Sequence, residues 1–316
     1  MKKLFCLMVI ILLVIFESME AQSNKDKEVI IFHAGSLSVP FKELAREYEK
    51  RNPGVDILLE PAGSIVCARK VTELKKPCDI VASSDYFVIN ELLIPDYASW
   101  SIRFATNEIV IAFSAKSKYA SAIDSSNWRD ILLKKDVIFS RSDPDSDPCG
   151  YRTVLTFMLA EKYYKDPGLA DRFLTKDKEY IRPKEVDLVA LIEANAVDFM
   201  FQYKSVAIQH NLKYIELPAN LNLSDPMLND YYHTVSTEVV GNTPGSKMKV
   251  TGDYINYSLT VLENAPDKDE AIKFVNFLLS QDGKNIFRKN GQNPLTPAST
   301  EQPEKIPEQL RRYLNK

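Results

Sequence analysis

The sequence predicts an α/β protein of two lobes with a ligand cleft between them, and three observations carry that reading. Short β-rich runs alternate with helical ones along most of the chain, a pattern that places ligands at the C-terminal ends of strands. About ten strands and as many helices result, more than one doubly wound sheet usually carries. No Pro/Ser-rich linker separates the halves, so strands acting as a hinge must join them. A two-lobed α/β protein of this kind closes on a small solute.

Met1-Lys2-Lys3 followed by the apolar run Leu4 to Phe16 reads as a secretory signal occupying residues 1–22, too short to span a bilayer comfortably. Cleavage is expected within Glu20 to Ser23, with a retained anchor as the alternative. The mature chain is expected to be exported and soluble. The formal net charge of −3 is unchanged by removing Lys2, Lys3, Glu17 and Glu20. With charges of both signs along the chain, there is no basic footprint for nucleic acid. Cys67, Cys78 and Cys149 remain, an odd number that excludes a disulfide framework. Cys67 and Cys78 read as small buried thiols, with a bridge between them as the alternative.

The elements follow in order. "EVIIFH" (28–33), "VDILLE" (55–60) and "DIVASS" (79–84) are strands, separated by helices over 40–51 and 66–76. In the first helix Phe41, Leu44, Ala45 and Tyr48 repeat at the spacing of one buried face, and Asn52-Pro53-Gly54 stops it. "NEIVIAFS" (107–114) is a strand, "WRDILLKK" a short helix, "DVIFS" a strand and 151–165 a strong helix. "PKEVDLVALIEAN" (183–195) reads as a helix leading into the strand "VDFMFQY" (197–203). A polar stretch at 219–230 precedes a β-ribbon, and the insertion runs over about 219–253. "INYSLTVLE" returns to strand, and a helix pair punctuated at Asp282-Gly283 follows. The expected division is 27–107 plus about 281–316 for one lobe and 108–280 for the other.

Two "AGS" turns deliver strands into helices at Ser36 and Ser64. "SDPDSDPCGYR" places Asp147 and Cys149 at a helix start, and Gln202 ends a strand. Serine hydroxyls with helix N-terminal N–H groups form a donor cage that suits a small oxyanion. Serine there is also the usual helix cap, and Asp147 has the same alternative.

The motifs "HAGSL", "EPAGS", "DIVASSDY", "DPCGYR", "QYKSVAIQH" and "KYIELP", in this order, resemble the archaeal-type molybdate/tungstate-binding proteins of ABC transporters. The resemblance implies a type II periplasmic-binding fold, an oxyanion in the cleft, permease and ATPase partners, no catalysis and no cofactor beyond the ligand. It implies that Ser36, Ser64 and Tyr257 donate to the oxyanion, with Asp147 or the Cys149 backbone acting from the second lobe. It also implies two carboxylates on the metal centre, one matching Asp147 and the other falling at Gln202. A neutral glutamine there puts six-fold coordination in question and points to a tetrahedral anion held by hydrogen bonds. Sulfate or thiosulfate is the alternative ligand, and an exported serine hydrolase the remote alternative function. His33, His210 and His233 read as structural, Tyr231-Tyr232 as unrelated to iron binding, and Arg152 and Lys204 as solvated charges or inter-lobe contacts. A monomer is expected.

Overall fold

The computed structural model describes residues 27–241 and 245–314, so the expected signal peptide lies outside the described residues. The chain begins β1 (Lys27–Ala34), α1 (Ser38–Arg51), β2 (Val55–Ala62), α2 (Ser64–Thr72), β3 (Ile80–Ser83), α3 (Tyr86–Leu92) and β4 (Ile102–Thr106). It continues β5 (Ile109–Phe113), α4 (Trp128–Leu132), β6 (Phe139–Ser140), α5 (Pro148–Tyr164), α6 (Leu169–Thr175), α7 (Asp187–Glu193), β7 (Phe199–Tyr203), α8 (Lys204–Gln209) and β8 (Lys213–Glu216). Then come α9 (Ala219–Asn222), α10 (Asn229–Tyr232), β9 (Ser236–Val240), β10 (Lys247–Thr251) and β11 (Asn256–Val261). The last elements are α11 (Lys268–Leu279), α12 (Gln281–Lys289), β12 (Asn293–Ser299) and α13 (Glu308–Arg311).

One six-stranded sheet has the order β12-β4-β11-β3-β1-β2, a four-stranded sheet the order β6-β7-β5-β8, and β9 with β10 forms a separate ribbon. These two main sheets are the cores of the two lobes. They are mixed rather than parallel. β1 runs parallel to β2 and β3, but β11 lies antiparallel to both β3 and β4. The reason is the route of the chain: β11 arrives from the second lobe, at the end of the sheet where β3 finishes. Asn256 pairs with Thr106 there, so both crossings between lobes, at Asn107-Glu108 and just before Asn256, sit side by side. This pair of crossings is the hinge. The boundary expected at about residue 281 is corrected by the same observation, because β11 already belongs to the first sheet.

Local sequence explains the elements. The predicted stripe of α1 is buried and meets α11, with Tyr48 edge-on to Phe274 at 5.3 Å. Gly54, at φ 97°, makes the turn after α1 that a side chain would resist. The helix pair near the C-terminus breaks at Ser280, two residues before Asp282, and the Ser280 hydroxyl caps α12. Gly283 lies inside that helix, where a Cβ would strike the Leu278 carbonyl. In the second lobe Phe157, Phe173, Phe201 and Trp128 interlock, with centroid separations of 4.8 to 5.3 Å among the tightest pairs. Each such pair is worth about 0.5–1.5 kcal/mol beyond the area it buries.

The lobes also touch outside the hinge. Tyr151 and Leu155 of α5 share one apolar cluster with Ile65 and Val88 of the first lobe and with Val239 and Val250 of the ribbon. Arg69 of α2 donates to the carbonyls of Val240 and Gly241, and the Val240 N–H donates to Asp145 at 2.7 Å. The ribbon therefore straps the two lobes together. Cys67, Cys78 and Cys149 are free and buried, and burial pushes the Cys67 thiol up to about 12.

Candidate anion-binding cleft

Three parallel strands of the first lobe finish on serines. Ser36 follows β1, Ser64 follows β2 and Ser84 follows β3, and all three are fully buried. Neither Ser36 nor Ser64 spends its hydroxyl on a helix cap: the N-cap positions of α1 and α2 are Leu37 and Gly63, without side-chain caps. The Ser36 Oγ accepts from the Tyr257 hydroxyl at 2.9 Å. The Ser64 Oγ accepts from the Ser84 N–H at 3.1 Å and lies 3.3 Å from the Ser84 Oγ.

The second lobe brings carboxylates. Asp147 occupies the N-cap position of α5 without a side-chain cap bond, and both its oxygens are buried without a well-formed hydrogen bond. The Ser142 hydroxyl and the Cys149 N–H lie near enough to oppose the effect of burial on its pKa. Glu185, in the loop before α7, is also fully buried. Its Oε1 accepts the Ser36 N–H across the cleft, while Oε2 has no donor. Burial, and then the charge of Glu185, holds the Asp147 carboxyl well above the ordinary carboxylate range. Burial raises Glu185 as well, opposed by its own backbone amide and by Ser36. A Cβ on Gly35 would lie 2.9 Å from Val186 and 3.0 Å from Glu185 Oε2. On Gly63 it would strike the Ser146 carbonyl. The "AGS" turns are thus pressed against the loops that carry Asp147 and Glu185.

The buried carboxylate beside Asp147 is Glu185, a residue the sequence motifs did not single out. Gln202 is buried with its amide committed: Nε2 donates to the Glu185 carbonyl at 2.7 Å, and Oε1 accepts the Tyr203 N–H at 2.7 Å. It holds the Glu185 loop in place. The Cys149 thiol lies against Gln202 Oε1 at 4.0 Å, and burial raises it. Asp147 thus interacts with Glu185, and Gln202 is bonded to the loop that carries Glu185. Glu185 lies three and seven residues before Leu188 and Ile192, both buried on α7. An acid on an apolar stripe is the signal that marks it.

Behind the serines, Arg152 of α5 is buried between the lobes. It pairs with Asp85 at 2.9 Å and donates to the Ser84 carbonyl at 2.6 Å and the Tyr203 hydroxyl at 2.9 Å. Tyr151 donates to the same Asp85 at 2.6 Å. Burial alone would lower the Arg152 pKa, but Asp85 overrides it and the guanidinium stays charged. Lys204, by contrast, pairs with Glu108 and Glu216 at the edge of the hinge. His33 is buried, its pKa lowered to about 4 by burial, with Nδ1 2.8 Å from the Ala34 carbonyl.

Hydroxyls, helix N-termini and a pair of carboxylates converge where two hinged lobes meet, and that is the layout of a solute-binding protein. The sequence comparison assigns the same class. Residues 29–293 match the family model described as bacterial extracellular solute-binding protein, and the chain belongs to that family. An uncharacterized solute-binding protein of Petrotoga mobilis is 41% identical over 99% of this chain and 98% of its own. The molybdate/tungstate-binding protein WtpA of Pyrococcus abyssi is 45% identical, covering 87% of this chain and 86% of the relative. Among solved structures, the periplasmic molybdate-binding protein of Azotobacter vinelandii superposes with a TM-score of 0.62 at 15% identity, covering 84% of this chain and 98% of that one. The sulfate-binding protein SubI of Mycobacterium tuberculosis gives 0.64 at 14% identity, over 86% and 88%. These structural matches place the fold in the periplasmic-binding-protein type.

Proposed function

We propose that this protein captures molybdate or tungstate outside the cytoplasm and delivers it to an ABC importer. The observation that carries this reading is the pair Asp147 and Glu185, buried with three of their four oxygens undonated. A buried carboxylate without partners is costly by several kcal/mol. Ionised beside a sulfate or phosphate, it would also repel the anion. Bonded to the metal centre of a molybdate or tungstate, the same oxygen becomes a ligand and the centre's positive charge offsets it. Asp147 and Glu185 would then extend the ion's own oxygen shell toward six-fold coordination. Ser36 and Ser64 would donate to its oxygens beside the N-termini of α1 and α2, with Tyr257 acting through Ser36.

The names of the archaeal relatives support the same ligand. Partners are a membrane permease and its ATPase, the working state is a soluble extracytoplasmic monomer, and no cofactor is involved. A serine hydrolase would need a base on Ser36 or Ser64. Their hydroxyls engage Tyr257 and Ser84 instead, which supports a carrier.

A thermal-shift panel tests the ligand. Tungstate and molybdate raise the melting temperature strongly, and sulfate and phosphate do so far less, since a ligand at a thousandfold excess over Kd stabilises by about 4 kcal/mol. Equal shifts with sulfate overturn the assignment. By calorimetric titration, Ser36→Ala and Ser64→Ala each weaken binding by about 1.5–3 kcal/mol, the range for a hydrogen bond to a charged group. Unchanged affinity in both would reduce the serines to filler between strand and helix.

A further inference from the structure

The hinge residue Asn107 has every hydrogen-bonding position of its side chain engaged. Its Nδ2 donates to the Tyr257 hydroxyl at 3.0 Å and to the Ser205 hydroxyl at 2.8 Å. Its Oδ1 accepts from the N–H of Glu108 at 3.0 Å and of Ser205 at 3.4 Å. The residue is 3% exposed. It occupies the crossing from β4 to β5, next to the start of β11 that carries Tyr257. Ser205 lies in the first turn of the helix after the second lobe's β7, so one amide joins both lobes to the same hydroxyl.

A phenol has one proton and commonly accepts one bond. With Asn107 donating to it, the Tyr257 oxygen is used as an acceptor and its proton goes to Ser36 Oγ. Ser36 Oγ then accepts on that side, which leaves its own proton to be aimed elsewhere, away from Tyr257. An unanchored Tyr257 could equally accept from Ser36, turning the serine proton out of the cleft. The direction of the chain is set at Asn107.

We propose that Asn107 is a positioning residue for the anion seat: by donating to Tyr257 from within the hinge, it orients the Ser36 hydroxyl as a donor into the cleft. The inference rests on the anion-binding reading above, and the test separates the two. Tungstate affinity is measured by titration calorimetry for the wild type, Asn107→Ala, Tyr257→Phe, the double variant and Ser205→Ala, with the melting temperature of each unliganded protein as the folding control.

Asn107→Ala and Tyr257→Phe are each expected to weaken binding about tenfold, as for one lost hydrogen bond. The double variant is expected to match Tyr257→Phe alone, because Asn107 acts only through the phenol that is already gone. Ser205→Ala is expected to leave affinity close to wild type. If the two losses multiply, or if Ser205→Ala reproduces Asn107→Ala, Asn107 merely supports the hinge and the proposal is wrong. Should Asn107→Ala not fold, Asn107→Ser carries the same comparison. A wild-type protein that binds neither tungstate nor molybdate would instead overturn the functional reading itself.

Discussion

Glu185→Gln weakens tungstate binding by up to about a thousandfold and at the same time makes the unliganded protein more stable. The two effects have opposite signs for one reason. The Glu185 carboxyl is buried near Asp147; burial raises the pKa of both, and the charge of Glu185 adds to the shift of Asp147. Glutamine removes that repulsion, and its carbonyl can still accept the Ser36 N–H. In the bound state the same change removes a charged ligand from the metal centre. A unit charge at about 4 Å and an effective dielectric near 20 is worth about 4 kcal/mol, an upper guide to the loss.

The pH dependence follows from the sign of the shifts. Carboxyls whose folded pKa lies above the unfolded value give stability that is fully present below about pH 4 and lost as pH rises through the folded values. The unliganded wild type therefore loses this contribution toward neutral pH, and Glu185→Gln loses less of it. Calorimetric titration and melting curves from pH 4 to 8 check both. Unaltered tungstate affinity in Glu185→Gln would remove the carboxylate from the ion's shell.

The second large effect belongs to Asp85. Asp85→Ala leaves the Arg152 guanidinium buried between the lobes without its countercharge, a change expected to cost about 3–5 kcal/mol in urea unfolding. Tyr151 loses its acceptor in the same step. The double variant Asp85→Leu with Arg152→Met should recover much of that loss, because removing both charges removes the desolvation penalty as well. A loss below about 1 kcal/mol for Asp85→Ala would mean that water reaches the pair and screens it.

Local pattern carried the alternation of strands and helices, the α1 stripe and the turns at Ser36, Ser64 and Asp147. Each depends on neighbours along the chain. Other features depend on neighbours across the cleft. The antiparallel entry of β11 reflects where the chain comes back from, which hydropathy does not record. Glu185 reads in sequence as an acid in the first turn of a helix, a position favoured by the helix dipole, and only its register with Leu188 and Ile192 marks it for burial. The helix in fact starts at Asp187, which leaves Glu185 in the loop that closes on Gly35. Gln202 ends a strand as anticipated, but its amide is used up by the loop beside it. Ser84 stands in the motif "DIVASSDY", where no glycine marks a tight turn before it. Arg152 was legible as either a solvated charge or an inter-lobe contact, and its partner Asp85 on the other lobe decides for the second.

Gly63 has φ −60° and ψ 143°, a conformation open to any residue. Its own turn does not ask for glycine. What asks for it is the Ser146 carbonyl of the opposite lobe, which occupies the space where a methyl group would stand. The turn is thus half of a mechanical fit whose other half is written more than eighty residues later. Anyone grafting this anion seat onto another two-lobed receptor would have to transplant both surfaces together, because the serine supplies the chemistry while the glycine sets how far the jaws may shut.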